Sequence, residues 1–340
     1  MTDDPRGLDL GSLATFLHRE APGLMGEHLT GKIVAGGKSN LTYQVSDGQR
    51  TIIVRRPPLG HVLSTAHDMV REHTVISALA TTAVPVPATY AICADESIIG
   101  APFYVMDFVS GTPYRDASQL QPLGPTRTRD IAHRLLDTLV ALHEVDYDAV
   151  GLGDFGRPEG FLERQVRRWT RQMADSHSRE LVGAQELADL LAKSVPSDGD
   201  ISILHGDYRL DNLLIGEADE ITAVLDWEMA TLGDPLSDVA LFAVYQRLSQ
   251  ITPESGVSDV ANAPGYPGTD DLLRRYANAS GRDVSHLGWH LGLAYYKLAT
   301  ILEGIHYRYT RGQTVGSGFD NVGQAVEPLV RAGLTALREG

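Results

Sequence analysis

Along the first hundred or so residues, apolar positions alternate with polar ones or come in short runs broken by turn residues. "LTYQV" (41–45) and "TIIVRR" (51–56) flank "SDGQ", and Asp47-Gly48 is a strong two-residue hairpin signal. "STAHDMVREHTVISAL" (64–79) changes period: Met69, Ile76 and Leu79 fall at helical spacing behind Ser and Thr caps. "VPVPA" (84–88) fits neither a helix nor a central strand, because proline lacks the backbone donor, so it reads as an extended connector. "FYVMDFV" (103–109) returns to the strand pattern and ends on Ser110-Gly111.

Beyond this point the helical period dominates. In 129–145, Ile131, Leu135, Leu139 and Leu142 make one apolar face. Further helices are expected over 161–174, 184–193, 236–249, 270–279, 289–306 and 323–338. Short strand patterns interrupt them at 201–205, 212–215 and 221–226. The pattern therefore predicts an α+β protein of two lobes, residues 1–108 and 109–340. The first is small and strand-rich with one main helix, and the second is larger and mostly helical. A single chain crossing between lobes is a common setting for a ligand site.

Composition narrows the function. With 340 residues, 43% apolar and 21% charged, the chain has material for a sizeable core. A formal net charge of −15 argues against a nucleic-acid-binding surface. The same field would favour a cationic substrate, or only aid solubility. One cysteine, Cys93, excludes an internal disulfide framework and a multi-cysteine zinc site. No apolar run reaches membrane-span length, about eighteen residues, and the acidic N-terminus lacks a signal-peptide core. A cytoplasmic, membrane-free protein is expected.

The densest chemistry stands in "ILHGDYRLDNLLI". Asp207 and Asn212 form D-x4-N between two apolar runs, and Asp226 ends the next strand pattern in "AVLDWE". If 212–215 and 221–225 fold back through the polar turn "GEADE", Asp226 approaches Asn212. A carboxylate and an amide oxygen are hard donors suited to Mg²⁺, which also takes phosphate oxygens. Asp207 at the head of the loop could accept a hydroxyl proton during phosphoryl transfer. The spacing matches the catalytic loop of protein kinases, with His205-Gly206 in place of His-Arg.

"HGDYRLDNLL…VLDWEMATLGDPLSDVA" resembles the aminoglycoside phosphotransferase, or kinase-like, family. Within it the chain resembles the branch of kinase-like domains fused to acyl-CoA dehydrogenases. The likeness spans nearly the whole chain, from "GGKSNLTYQV" through "RRPP", "AHDMVREHTVISAL" and "GAPFYVMDFVSG" to "YYKLATILEGIHYRYT". It implies a two-lobed protein-kinase-like fold binding ATP, with GTP as an alternative, and Mg²⁺. By that resemblance Gly36, Gly37, Ser39 and Asn40 form the phosphate-covering turn. Arg55 takes the place of the usual phosphate-binding lysine, for no lysine occurs between Lys38 and Lys193. Glu72 pairs with that cation, the backbone of Asp107 and Val109 meets the adenine, and Asn212 and Asp226 hold the metal.

His205, Asp234 and Asp238 read as structural, with Asp238 bracing the loop. Asp211 reads as a bystander, and Arg209 as a possible contact to substrate or phosphate. Glu228 is a weak candidate for reaching the metal through water. Trp169 and the aromatics of 288–312, with Glu303 and His306, are either core or a border of the acceptor pocket.

The leading expectation is a phosphotransferase moving the γ-phosphoryl group to a hydroxyl of a small molecule, either aminoglycoside-like or a metabolic alcohol or hydroxyacyl compound. One alternative is a catalytically weak nucleotide-binding or regulatory module. Another is a metal-dependent hydrolase using His205 and the aspartates. Oligomeric state is not legible in the sequence.

Overall fold

The computed structural model describes residues 4–34, 40–59, 68–176, 179–197, 199–252, 258–313 and 319–339. The chain divides into two compact units, one of residues 1–111 with 222–230 and the other of residues 112–221 with 231–340. Among the described residues no helix is long and apolar enough to cross a membrane.

The first unit holds α1 (Leu10–Glu20), β1 (Thr30–Ile33), β2 (Leu41–Ser46), β3 (Thr51–Arg56), α2 (Met69–Leu79), β4 (Thr89–Cys93) and β5 (Phe103–Asp107). Its five strands form an antiparallel sheet in the order β1-β2-β3-β5-β4. The Asp47-Gly48 turn closes β2 onto β3, with the Asp47 carboxylate accepting the backbone N–H groups of Gln49 (2.9 Å) and Arg50 (2.7 Å). Strand alternation sends Tyr43, Val45, Ile52, Val54, Phe103 and Val105 to the core. There they meet Leu13, Phe16 and Leu17 of α1, and Phe16 lies edge-on to Phe103 with 5.0 Å between ring centroids. Asp9 caps α1 by accepting Ser12 N–H at 2.7 Å, and Asp68 caps α2 through Arg71 N–H at 3.0 Å. The helical pattern expected over 64–79 thus begins at Met69, and residues 60–67 lie outside the described set. Helix α1 is a second helix, which the expectation of one main helix in this lobe omits.

The second unit contains α3 (Ala117–Leu120), α4 (Gly124–His143), α5 (Phe161–Ser176), α6 (Ala184–Lys193), β6 (Ser202–Leu204), β7 (Leu213–Ile215), β9 (Thr231–Gly233), α7 (Leu236–Ile251), α8 (Thr269–Ser280), α9 (Gly288–Thr310) and α10 (Val326–Glu339). Strand β8 (Ile221–Val224) lies where the chain passes from the second unit back to the first. Helix α9 is the axis of the second unit, touching α5, α6, α7 and α10. That explains why it is mostly apolar and buried as far as Gly304, since a helix surrounded by others has no solvated face. The expected apolar face of α4 is buried throughout at Ile131, Leu135, Leu139 and Leu142. Strand β6 pairs antiparallel with β9 and delivers the chain into the segment that begins at His205.

Candidate active site

In the first unit, Arg55 lies in β3 opposite Thr42 of β2 and Tyr104 of β5. Glu72 projects from α2 among Met69, Val75 and Ile76 and is 1% exposed. Arg55 Nη2 stands 3.0 Å from Glu72 Oε1 and also donates to Asp226 Oδ1. Burial opposes the Arg55 charge, but Glu72, Tyr104 and Asp226 together raise its pKa above the usual guanidinium value. Burial likewise pushes the Glu72 carboxyl up to about 7; Arg55 pulls against this, while Asp226 and Glu228 add to it. An ion pair removed from water this far is costly to split, because either partner alone would be an uncompensated charge.

Asp226 has φ 66° and ψ 61°, the left-handed region that a non-glycine residue enters at a cost of about 1 kcal/mol or more. The next residue holds it there. Trp227 is fully buried and its indole N–H donates to Val224 O at 3.0 Å, tying the turn back to the strand before it. The result aims the Asp226 carboxylate at Arg55. Among the described residues Asp226 Oδ2 has no intrachain partner. Asn40 is 3% exposed and donates to Glu228 Oε2 at 3.3 Å. Gly36, Gly37 and Ser39, expected to cover phosphates, lie outside the described residues. Asp107 N–H is committed to Ala88 O at 2.8 Å, so only its carbonyl remains for a base edge. The Val109 backbone makes no hydrogen bond among the described residues.

In the second unit, the segment after β6 is fastened by its own apolar residues and by three helices. Tyr208 and Leu210 are buried, and Tyr208 Oη donates to Leu135 O at 2.6 Å. Gly206 has φ 81°, which glycine adopts without strain. The Asp238 carboxylate, 2% exposed, accepts the N–H groups of His205 (2.7 Å) and Gly206 (2.8 Å). Burial would raise its pKa, but His143, His205 and the backbone donors hold it below the usual carboxylate range. Asp207 N–H donates to His205 Nδ1 at 3.2 Å, which makes that nitrogen an acceptor and places His205 inside the loop's own bonding.

Asp207 and Asn212 meet as the spacing predicts. Asn212 Nδ2 donates to Asp207 O at 2.9 Å and to Asp207 Oδ2 at 3.2 Å. That spends the amide nitrogen and leaves Oδ1 without a partner among the described residues. Two further contacts carry no signal in the sequence: Tyr245 Oη donates to Asp207 Oδ1 at 2.5 Å, and Lys297 Nζ donates to Gly206 O at 2.6 Å. Burial lowers the Lys297 pKa, and the charges of Asp207 and Asp238 act against that shift. Arg209 is committed to Asp211 and lies 5.0 Å from the Tyr245 ring centroid. Asp211 also receives Arg115 Nε at 3.2 Å. Asp234 accepts Leu236 N–H at 2.8 Å at the start of α7 and bonds His290 Nε2 at 2.9 Å. Of the aromatic candidates, Trp169, Trp289, Tyr295 and Tyr296 are buried, and Glu303 is 0% exposed against Arg179 at 3.0 Å.

Among the described residues no three His, Cys, Asp or Glu side chains gather as a ready metal cage. The donors present fit a different demand. Mg²⁺ commonly takes one or two protein oxygens and fills its shell with phosphate and water. In the second unit Asn212 Oδ1, and in the first unit Asp226 Oδ2, is left over after a neighbour has used the rest of the side chain.

The phosphotransferase enzyme family (APH) profile matches residues 30–276. The chain is 32% identical to human acyl-CoA dehydrogenase family member 11 over 96% of its own length and 43% of that protein. It is 33% identical to mouse acyl-CoA dehydrogenase family member 10, covering 92% of this chain and 30% of that one. It therefore spans less than half the length of these curated relatives. Among solved structures, a putative aminoglycoside phosphotransferase from Ralstonia eutropha superposes with a TM-score of 0.85 at 32% identity, covering 97% of this chain and 98% of that one. A choline kinase from Cryptosporidium parvum shares the fold at TM-score 0.67 and 15% identity, covering 97% and 96%. A five-stranded antiparallel unit, a helical unit and these likenesses make the fold kinase-like, and the chain belongs to the phosphotransferase enzyme family.

Proposed function

We propose that the protein is an ATP- and Mg²⁺-dependent phosphotransferase that moves the γ-phosphoryl group to a hydroxyl of a small molecule. The observation that carries this reading is the mounting of Asp207. Its carboxylate is held by Tyr245 and Asn212, and the backbone before it is held by Asp238 and Lys297. A carboxylate fixed at both oxygens, with lone pairs to spare, is suited to orient an alcohol and accept its proton. Arg55, kept charged by Glu72 and Asp226, is the cation for nucleotide phosphates. Asn212 and Asp226 are assigned as metal ligands on their free oxygens and the family's motif. Mg²⁺ bound there would neutralise charge on the phosphates. The backbone of Val109 and the Asp107 carbonyl are assigned to the base, and the segment from Gly36 to Asn40 to the phosphates. Nucleotide use is supported by a fold neighbour, aminoglycoside phosphotransferase APH(4)-Ia, solved as a ternary complex with ADP and hygromycin B.

The test is to incubate the protein with Mg²⁺, ATP and a metabolite extract and to search by mass spectrometry for products heavier by one phosphoryl group. Products are expected with the wild type, and neither without Mg²⁺ nor with Asp207→Asn. Products undiminished in Asp207→Asn would remove Asp207 from the role of proton acceptor.

A second reading, a nucleotide-binding regulatory module, has one observation in its favour. Arg55 already has two carboxylate partners, so its charge is balanced without phosphate. Mg²⁺ and ATP raising the melting temperature, with no product across a broad alcohol panel, would favour that reading.

A further inference from the structure

Phosphoryl transfer to an alcohol needs Asp207 to keep one oxygen on the acceptor throughout. A carboxylate turns easily about its terminal torsion, which is broad and two-fold. Asn212 alone restrains it weakly, at 3.2 Å to Oδ2. The shorter contact comes from Tyr245 Oη, 2.5 Å from Oδ1. Tyr245 and Asp238 lie seven residues apart on α7, two helical turns on the same face. One helix face therefore holds both the loop backbone, through Asp238, and the reacting carboxylate, through Tyr245.

The phenol is itself held in place. Arg209 stacks on its ring at 5.0 Å and is anchored by Asp211, which also takes Arg115. Burial, the Asp207 charge and the bond to it keep the Tyr245 pKa well above the usual phenol value, so the group remains a donor. The charged and titratable groups facing it are Asp207 and Arg209.

We propose that Tyr245 is a positioning residue for transfer: its hydroxyl ties down Asp207 Oδ1, leaving Oδ2 aimed at the acceptor. This rests on the reading of Asp207 as the group that receives the acceptor's proton. In that step the acceptor O–H proton passes to Asp207 Oδ2 and the acceptor oxygen bonds the γ-phosphorus. The bond from that phosphorus to the β,γ-bridging oxygen breaks, and ADP leaves with the electron pair. With the Tyr245 hydroxyl gone, Oδ2 wanders, and water competes better with the alcohol for the phosphoryl group.

The experiment compares wild type, Tyr245→Phe, Tyr245→Leu and Asp207→Asn as full chains, measuring phosphorylated product, ADP, and KM for ATP. Tyr245→Phe keeps the ring and loses only the hydroxyl. It is expected to lower kcat for transfer about ten- to a hundredfold, the scale of a small misplacement of a reacting group. KM for ATP should stay within about twofold on the same reasoning, and ADP released per product should rise. A Tyr245→Phe enzyme with wild-type kcat and wild-type coupling overturns the inference, and loss confined to Tyr245→Leu then assigns the ring to packing alone. Full transfer by Asp207→Asn instead overturns the parent reading, and so does a wild type with neither transfer nor ATP hydrolysis; the inference falls with it in either case.

Discussion

Asp238→Asn isolates the brace beneath the Asp207 segment. The substitution preserves shape and removes charge and one acceptor. Wild-type Asp238 takes two backbone N–H groups, at 2.7 and 2.8 Å, in a site only 2% exposed. Hydrogen bonds to a charged group contribute about 1.5–3 kcal/mol each, and a buried donor left without a partner costs about 1–3 kcal/mol. Asparagine can satisfy one N–H through its oxygen, but its NH₂ then faces the other donor. The sum is a loss of about 2–4 kcal/mol, a large share of the 5–15 kcal/mol typical of a folded domain. His143, with Nε2 3.5 Å from the carboxylate, loses its acidic neighbour as well.

The assay is urea unfolding of wild type and variant at neutral pH, with ΔG taken from midpoint and slope. Because the folded Asp238 pKa is depressed, its stabilisation is present above the unfolded carboxylate value. It is lost as pH falls through the folded value. The gap between the proteins should therefore close in acid. A gap under about 0.5 kcal/mol at neutral pH, within the range of ordinary surface substitutions, refutes the reasoning.

Other expectations follow from the same geometry. Glu72, with its folded pKa raised by burial to about 7, makes wild type lose stability as pH rises from the ordinary carboxylate range toward 7. Glu72→Gln should flatten that slope in thermal melts taken across the range, and an unchanged slope counts against it. Lys297→Met removes the donor from Gly206 O and should destabilise the protein by about 1–3 kcal/mol, with a lower kcat; urea unfolding and steady-state rates report both. Gly265 has φ 88°, and a Cβ there would stand 2.2 Å from Pro125 O, a backbone atom that cannot swing aside. Gly265→Ala should therefore lower stability by roughly 2 kcal/mol or more, the scale of overpacking plus backbone strain, read as a drop in melting temperature.

What the sequence made legible was local. Asp207 and Asn212 share one short segment, so spacing alone brings them together, and the structure joins them at 2.9 and 3.2 Å. The period of 129–145 marks the buried face of α4 because an amphipathic helix writes its burial into its spacing. Helix α1 is equally readable, with Asp9 as cap and Leu10, Leu13, Phe16 and Leu17 at helical intervals. Strand β9, Thr231–Gly233, is too short to show any period. Tyr245 and Lys297 lie inside apolar helices, where an aromatic or a lone lysine reads as core or surface. Only tertiary packing brings them to the Asp207 segment. The strained Asp226 backbone is equally silent in sequence, since aspartate is common in unstrained turns and the constraint comes from buried Trp227.

The central claim is that the chain transfers an intact phosphoryl group from ATP to an alcohol through Asp207. The most direct measurement supplies ATP whose γ-phosphoryl group carries heavy oxygen and weighs the product by mass spectrometry. A phosphorylated alcohol bearing those heavy oxygens, formed by the wild type and lost in Asp207→Asn, is the expected result. Heavy oxygens found only in free phosphate, or an equal yield from Asp207→Asn, would contradict the account.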